Sequence, residues 1–485
     1  MKPGVLALAS LLVLPLGASG QEEWAYYLVL GKSQLLADGG AFAEFQKENG
    51  GLPAAELRKK TIARLKAIAA QEQPGLLAAL GSPRDVRPLW IVNAVVVPLS
   101  QTKARAAQAL ECVRWVYPAE YFPWEEGGAG KVAEVLSRTK REPFAIGRKR
   151  IPWNLKELNV PAVWKSLKVT GEGVVVTSFD EGLNYRHRDL RKNMWLNSDE
   201  IPNNGKDDDQ NGLVDDLYGF DFTRMKAEVL DAGPDQHGTL TSCLIVGDGT
   251  GGQVTGVAPR AELMAVRAEG GAYLAARAFQ YALEEGARVV NMSFSIPDLG
   301  ETRGLWRMMA EHATCAGMVL VSGAGNFRQD ADVPEQIRIP EGIPCVICVG
   351  GVDEHRRLAP FSSTGPVEWK SVKLYQDFPL PRGLVKPDVV AFPGPRLGLV
   401  GTDDDASYLD DGNLRQGNSL SGPQVAGVCA LMLSANPDLP PWRVKELLES
   451  TARDLVPRGK DNETGAGLVN AFKAVQAAIR ERKRR

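Results

Sequence analysis

From Ile151 onward, short apolar runs alternate with stretches of helical spacing, and this alternation limits what the chain can fold into more than any other feature. The runs are Val174–Phe179, Leu263–Arg267, Val289–Ser293, Val319–Ser322, Cys345–Gly350 and Asp388–Ala391. They are continuously apolar, so each expects apolar neighbours on both faces. Helical patterns such as Ala272–Glu285 and Gly304–Cys315 stand between several of them. Strands buried on both faces and separated by helices form a parallel sheet covered on either side. In such sheets the site lies beyond the carboxyl ends of the strands. The polar residues that follow these runs are therefore the first to read for chemistry.

Two of them, Asp180 and Asn326, carry chemical groups, and Ser419 ahead of a helix joins them. Asp180 ends the first run and is followed by Glu181-Gly182, so it stands at the expected site edge; a lone Asp there would serve as a turn residue. Asn326 follows Val319–Val321 in Ser322-Gly323-Ala324-Gly325-Asn326. Ser419 lies in Gly417-Asn418-Ser419-Leu420-Ser421-Gly422-Pro423-Gln424-Val425-Ala426-Gly427, which opens an apolar helix pattern over Val425–Leu433. A serine at a helix start can be a simple cap, but the free N–H groups and positive dipole end there also favour a developing oxyanion. Pro423 falls in the first turn, where its missing N–H costs least. The chain has four histidines. One of them, His237, precedes Gly-Thr in Asp235-Gln236-His237-Gly238-Thr239 and opens a helix-compatible segment.

Gly-x-Ser-x-x-x-Pro-x-Val-Ala-Gly resembles the nucleophile segment of subtilisin-like serine proteases. Asp180, His237-Gly238-Thr239 and Ala324-Gly325-Asn326 resemble that family's acid, base and oxyanion motifs, in the family's order Asp, His, Ser. His187-Arg188-Asp189-Leu190 resembles its His-Pro-Asp-Leu. The resemblance covers about Trp153–Ala477. It implies an α/β, subtilisin-like three-layer fold with a parallel central sheet, preceded by a small α+β (ferredoxin-like) prodomain. It also implies a catalytic set of Asp180, His237, Ser419 and Asn326, and acyl transfer from protein or peptide substrates with no cofactor required for the chemistry. Glu181 departs from the family, as do Asn418, Ser421, Gly422 and Gln424 around the nucleophile. The four around Ser419 keep a catalytically weak, peptide-binding relative open as an alternative; a structural or partner-binding surface protein is a second one.

The N-terminal third reads separately. Met1–Gly20 has one Lys, an apolar stretch from Val5 to Leu16 and small residues at its end, the pattern of an export signal too short to span a bilayer. Residues 21–122 read as the prodomain, an intramolecular inhibitor by the resemblance. In it Trp24–Leu30, Leu89–Leu99 and Val113–Val116 are strands. Glu56–Glu72 is a helix stopped by Pro74-Gly75, and Ala104–Leu110 a second helix. Residues 123–150, with Arg148-Lys149-Arg150, read as an exposed linker and region of cleavage. Residues 151–478 read as the peptidase domain and 479–485 as a solvated basic tail. No later run is long enough to cross a membrane, so the expected product is exported, extracellular or periplasmic, with no membrane contact after signal removal. A formal net charge of −2 gives no ground for a nucleic-acid partner. The six cysteines sit mostly in apolar contexts and read as buried thiols; none has metal-ligand spacing.

Two further segments bear on the site. Ser293-Phe294-Ser295 matches the family segment that pairs with extended substrate and lines the pocket for the residue whose carbonyl is attacked; an ordinary strand end is the plain alternative. Asp207, Asp209, Asn211 and Asp215 have Asp-x-Asp-x-Asn-Gly spacing, which suits a structural Ca²⁺ ion. Tyr218 stands where a bidentate Glu would complete an EF-hand, and a solvated acidic loop is the alternative reading.

Overall fold

The computed structural model describes residues 24–119, 131–136, 143–231, 236–269, 271–297, 299–330, 336–405, 408–409 and 413–483. The expected signal, and residues 123–130 and 137–142 of the expected linker, lie outside the described residues. The N-terminal region holds β1 (Trp24–Gly31), α1 (Ala41–Asn49), α2 (Ala54–Ala79), β2 (Arg87–Leu89), β3 (Ala94–Ser100), α3 (Gln101–Ala107) and β4 (Val113–Pro118). Its strands pair antiparallel in the order β2-β3-β1-β4. Two expectations are corrected here. The single strand Leu89–Leu99 is two strands, β2 and β3, joined by a turn at 90–93 in which Asn93 takes a left-handed φ of 35°. The helix also does not stop at Pro74. It runs on to Ala79, because Leu57, Leu65, Ala69 and Leu76 are all buried along it, and that packing offsets the roughly 3 kcal/mol an interior proline costs.

After short helical turns α4 (Trp153–Glu157), α5 (Val160–Ala162) and a π-turn at Val163–Leu167 comes the main sheet. Its strands are β5 (Val175–Phe179), β6 (Gly219–Asp221), β7 (Glu262–Arg267), β8 (Val289–Met292), β9 (Val319–Gly323), β10 (Ile347–Gly351) and β11 (Val389–Ala391). They run in the order β11-β10-β9-β8-β5-β7-β6, every pair parallel. The helices between and after them are α6 (His237–Val246), α7 (Ala272–Glu284), α8 (Thr302–Cys315), α9 (Ser421–Ala435), α10 (Pro441–Thr451) and α11 (Ala471–Arg482). Alternate strand residues feed two cores. Val176, Leu263, Val289, Val319 and Val349 face α6, α9 and α11, while Met264, Val266, Val290 and Leu320 face α7 and α8. This is the expected three-layer architecture. Helix α9 is buried from Ser421 to Leu433, as an all-round apolar helix must be.

The expected basic tail is shorter than proposed: α11 continues through Arg482, whose guanidinium donates to Ala435 O at 3.1 Å, and Glu481 pairs with Arg443. Only residues 484–485 lie outside the described residues. The six cysteines are unpaired, and all but Cys112 are buried.

The N-terminal sheet lies against α7 and α8, and its Leu28, Leu30, Ile91 and Val96 belong to their apolar core. Polar contacts fix the docking. Gln280 Oε1 accepts the Trp90 and Ile91 N–H groups at 2.8 and 3.1 Å, and Thr61 Oγ1 donates to Cys315 O at 3.2 Å. His312 of α8 is fully buried; its Nδ1–H donates to Ile91 O and its Nε2 accepts the Leu36 N–H at 3.4 Å. Burial pushes His312 down to about 4, although the bond to Ile91 works the other way; the Arg114 charge adds to the lowering. A histidine held neutral in the docked form and free to charge outside it stabilises docking fully above its ordinary pKa near 6.5. That stability is lost as pH falls from there towards 4. The expected result is an acid-labile N-terminal region, weakened by about 3 kcal/mol at pH 4 relative to pH 7. Hydrogen exchange of Leu36 and Ile91 between pH 4 and 7 checks it, corrected for intrinsic rates. A His312→Gln chain with the same pH dependence as the native one would remove the assignment.

Candidate active site

The ends of β5 and β8, the start of α6, the loop after β9 and the start of α9 supply the groups expected to react. Asp180 follows β5 directly, its N–H donating to Val266 O at 3.1 Å. Its carboxylate is almost fully buried and accepts three donors. His237 Nδ1–H and the Glu181 N–H reach Oδ1 at 2.8 and 2.9 Å, and Thr241 Oγ1 reaches Oδ2 at 3.2 Å. His237 and Thr241 are four apart on α6 and so share a face. The helix comes this close because residue 238 is glycine: a Cβ there would stand 1.9 Å from Gly182 O. Burial lowers the His237 pKa, but the Asp180 carboxylate, with Glu181 and Asp231 adding, more than offsets it and pushes it up to about 9. Glu181 is itself raised, by burial first and then by the Asp180 charge.

Ser419 stands in a 3₁₀ turn, Asn418–Leu420, immediately ahead of α9. It is half-buried. Its Oγ–H donates to Ser293 O at 3.3 Å, and Ser293 Oγ–H donates back to Ser419 O at 3.2 Å. The Ser419 turn is thus tied to the segment leaving β8. On its other side Asn326, exposed after β9, accepts the Asn418 N–H on Oδ1 at 2.7 Å. With its carbonyl fixed, the Asn326 side chain presents its NH₂ as donor. The turn packs flat on β9: a Cβ at Gly323 would stand 2.4 Å from Asn418 O.

Three of the four departures around Ser419, namely Asn418, Ser421 and Gln424, prove to be internal hydrogen-bonding groups. Asn418 is buried and donates to Gly325 O and Ser362 Oγ at 2.7 and 3.0 Å, and its Oδ1 accepts Ser421 Oγ–H at 3.1 Å. Gln424 is buried and donates to Phe392 O and Leu420 O, both at 2.7 Å. A buried amide is stable only when so satisfied. Sequence reading had no signal for the Gly325, Ser362 and Phe392 partners, which come from segments 32 to 93 residues away in the chain. His187 is likewise structural: Nε2 bonds Gly401 O at 3.0 Å and Nδ1 accepts the Asp189 N–H at 3.2 Å.

The segment after β8 runs beside Ser419. Phe294 turns its ring onto Phe179 and Trp306, at 5.2 and 6.4 Å between centroids. Ser295 therefore shares the face of Ser293, and its hydroxyl donates to Glu341. Ile296 N–H bonds Ile339 O at 2.7 Å, so this segment and residues 337–341 form facing walls.

The acidic loop is rearranged relative to expectation. Carboxylate oxygens of Glu200, Asp207 and Asp209 converge within 4.8 Å of one another. Asp215 is not among these carboxylates, and Asn211 stands beside Asp209. Asp215 is buried, with its oxygens accepting the Asn204 and Gly205 N–H groups at 3.0 and 2.9 Å. Asn211 points its NH₂ at Asp209 and Asp216, at 3.0 and 3.3 Å. Glu200, missed in the sequence, enters through backbone N–H bonds from Asp208, Asp209 and Asp215. Glu285 joins the crowd from α7's end, and burial, then the Asp209 charge, pushes it up to about 7.

The profile of the subtilase family matches residues 171–467. A probable subtilase-type serine protease of Deinococcus radiodurans is 30% identical over 330 residues, covering 65% of this chain and 42% of that protein. Bacillopeptidase F of Bacillus subtilis is 25% identical over 452 residues, 87% of this chain and 29% of that protein. The crystal structure of fervidolysin from Fervidobacterium pennivorans, described as a keratinolytic enzyme related to subtilisin, superposes with a TM-score of 0.58 at 20% identity. It covers 94% of this chain and 62% of its own. The chain spans less than half the length of the two curated relatives.

Proposed function

The chain belongs to the subtilase family, and on that premise we propose that it is an exported serine endopeptidase made as a self-processed precursor. The observation that carries this reading is the buried Asp180 carboxylate holding His237 Nδ1–H at 2.8 Å, on the same sheet edge as Ser419. In the mechanism, the Ser419 hydroxyl turns from Ser293 O to His237 Nε2, which takes its proton as Oγ attacks the peptide carbonyl. Asp180 fixes the tautomer and stabilises the imidazolium. The Asn326 NH₂ and the Ser419 N–H hold the tetrahedral oxyanion. His237 then protonates the leaving amine, and water resolves the acyl-enzyme. No cofactor enters these steps. Substrates are proteins or peptides, and residues 24–119, docked on α7 and α8, act as the intramolecular inhibitor. Export rests on the composition of Met1–Gly20; among the described residues no helix is long and apolar enough to cross a membrane.

The test is covalent labelling by a fluorophosphonate together with cleavage of a mixed peptide substrate. Labelling on Ser419 with turnover supports the reading. A purified, folded protein that does neither is the weak, peptide-binding relative instead.

Calcium belongs to the same proposal. Glu200, Asp207 and Asp209 supply hard oxygens at one point, and no Lys or Arg pairs with them among the described residues; a divalent cation fits that donor set. An ion at one hundred times its Kd stabilises the native state by about 2.7 kcal/mol. Adding a chelator should therefore lower the Tm by several degrees, and Asp207→Asn should abolish that drop. A melting curve indifferent to chelator rejects the ion.

A further inference from the structure

Two residues past the Ser293 carbonyl that holds Ser419, the segment leaving β8 meets a carboxylate that none of the chemistry above uses. Glu341 is fully buried. It reaches from the 337–341 wall to the facing wall, where Ser295 donates to its Oε1, and the same oxygen accepts the Arg338 N–H at 3.1 Å. Its other oxygen, Oε2, has no hydrogen-bond partner among the described residues. Arg338 acts on it only through space: its guanidinium lies on the Phe327 ring, 3.9 Å from the centroid, and among the described residues it makes no ion pair with Glu341. The backbone bridge between Ile296 and Ile339 ties the walls beside this carboxylate. Ser295 is two residues past Ser293, whose carbonyl holds Ser419 Oγ at 3.3 Å, so the carboxylate's partner lies about 7 Å along an extended chain from that carbonyl. That is the reach of a long substrate side chain.

Resting on the endopeptidase reading, we propose that Glu341 is the specificity residue of this site and selects substrates with Lys or Arg at P1, the residue whose carbonyl Ser419 attacks. A buried carboxylate with one unbonded oxygen and no ion-pair partner is costly, and burial pushes Glu341 up to about 7. An entering ammonium or guanidinium supplies both the missing donor and the missing charge. An apolar P1 side chain supplies neither, and an acidic one adds repulsion.

The test compares matched fluorogenic peptides with Lys, Arg, Gln, Leu or Glu at P1, in the native chain and in Glu341→Gln. The native protein should show kcat/KM for Lys and Arg at least about 10-fold above Leu and Gln. Glu341→Gln should shrink that gap to about 2-fold while kcat/KM for Leu stays within about 3-fold. A native protein that cleaves peptides without favouring basic P1 overturns the proposal, as does a basic preference that survives Glu341→Gln. Should the variant not fold, benzamidine decides on the native protein alone: it should slow fluorophosphonate labelling of Ser419, and no slowing at 10-millimolar order overturns the proposal. Failure to cleave any peptide is a different outcome, because it strikes the endopeptidase reading and removes the substrate for which Glu341 would select.

Discussion

A Ser419→Ala chain is expected to lose about 10⁶-fold in turnover, because nucleophile, base and acid act as a unit, and to remain uncut between its N-terminal region and its peptidase region. The alanine removes the Oγ–H bond to Ser293 O but leaves the buried frame of the turn: the Asn418 bonds to Gly325, Ser362 and Asn326 do not involve the serine hydroxyl. The fold should therefore survive. Self-processing uses the same nucleophile, base and oxyanion donors as substrate hydrolysis, so it should fail together with turnover. The competing view is cleavage by another protease at Arg148-Lys149-Arg150. That run is less open than its charge suggests. Arg150 N–H donates to Gly252 O at 2.7 Å, its carbonyl accepts the Val254 N–H at 3.0 Å, and Lys149 donates to Asp248 O at 3.1 Å. A backbone bonded in this way resists entering another enzyme's cleft. Intact-mass measurement of the purified variant is the check. A mature-sized Ser419→Ala product from a host lacking other proteases would sink self-processing.

Asp180→Asn is expected to lower kcat by about 10⁴-fold with little change in KM. The carboxylate accepts from His237, Glu181 and Thr241 together. An amide keeps the size but turns an N–H into this donor cluster. If that N–H faces Nδ1, the imidazole carries its proton on Nε2, where the Ser419 proton must go. The variant also loses the charge that does most to hold His237 near 9, so its pH–rate profile should move to lower pH. The sign follows from the base being active only when neutral: a lower His237 pKa makes it neutral at lower pH. Steady-state kinetics from pH 5 to 10 read both effects. An unshifted profile with native kcat would show that Asp180 does not orient the base.

Much of this site could be read from residues close together in sequence. Asp180 directly follows an apolar strand, His237 opens a helix, and Ser419 precedes one; each placement is a local consequence of period, glycine and proline. The same holds for the parallel sheet, since continuous apolar runs spaced by helices have few other ways to bury both faces. Where local reading failed, a distant partner decided. Pro74 did not end α2 because Leu76 beyond it is buried. Leu89–Leu99 split because the turn at 90–93 is held from outside, with Gln280 accepting the Trp90 and Ile91 N–H groups.

The sequence by itself determined the alternation of parallel strands and helices, the order of Asp180, His237 and Ser419, and their place at one sheet edge. Tertiary structure alone decided which polar groups meet. Asn211 and Asp215 have the spacing of calcium ligands, yet Asp215 is taken by the Asn204 and Gly205 amides and Glu200 stands with Asp207 and Asp209 instead. Glu341 carries no motif, and only the pairing of Ile296 with Ile339 brings it across from Ser295. The physical reason is common to both cases: a carboxylate's role is set by which donors surround it after burial, and those donors come from chain segments that sequence spacing does not connect.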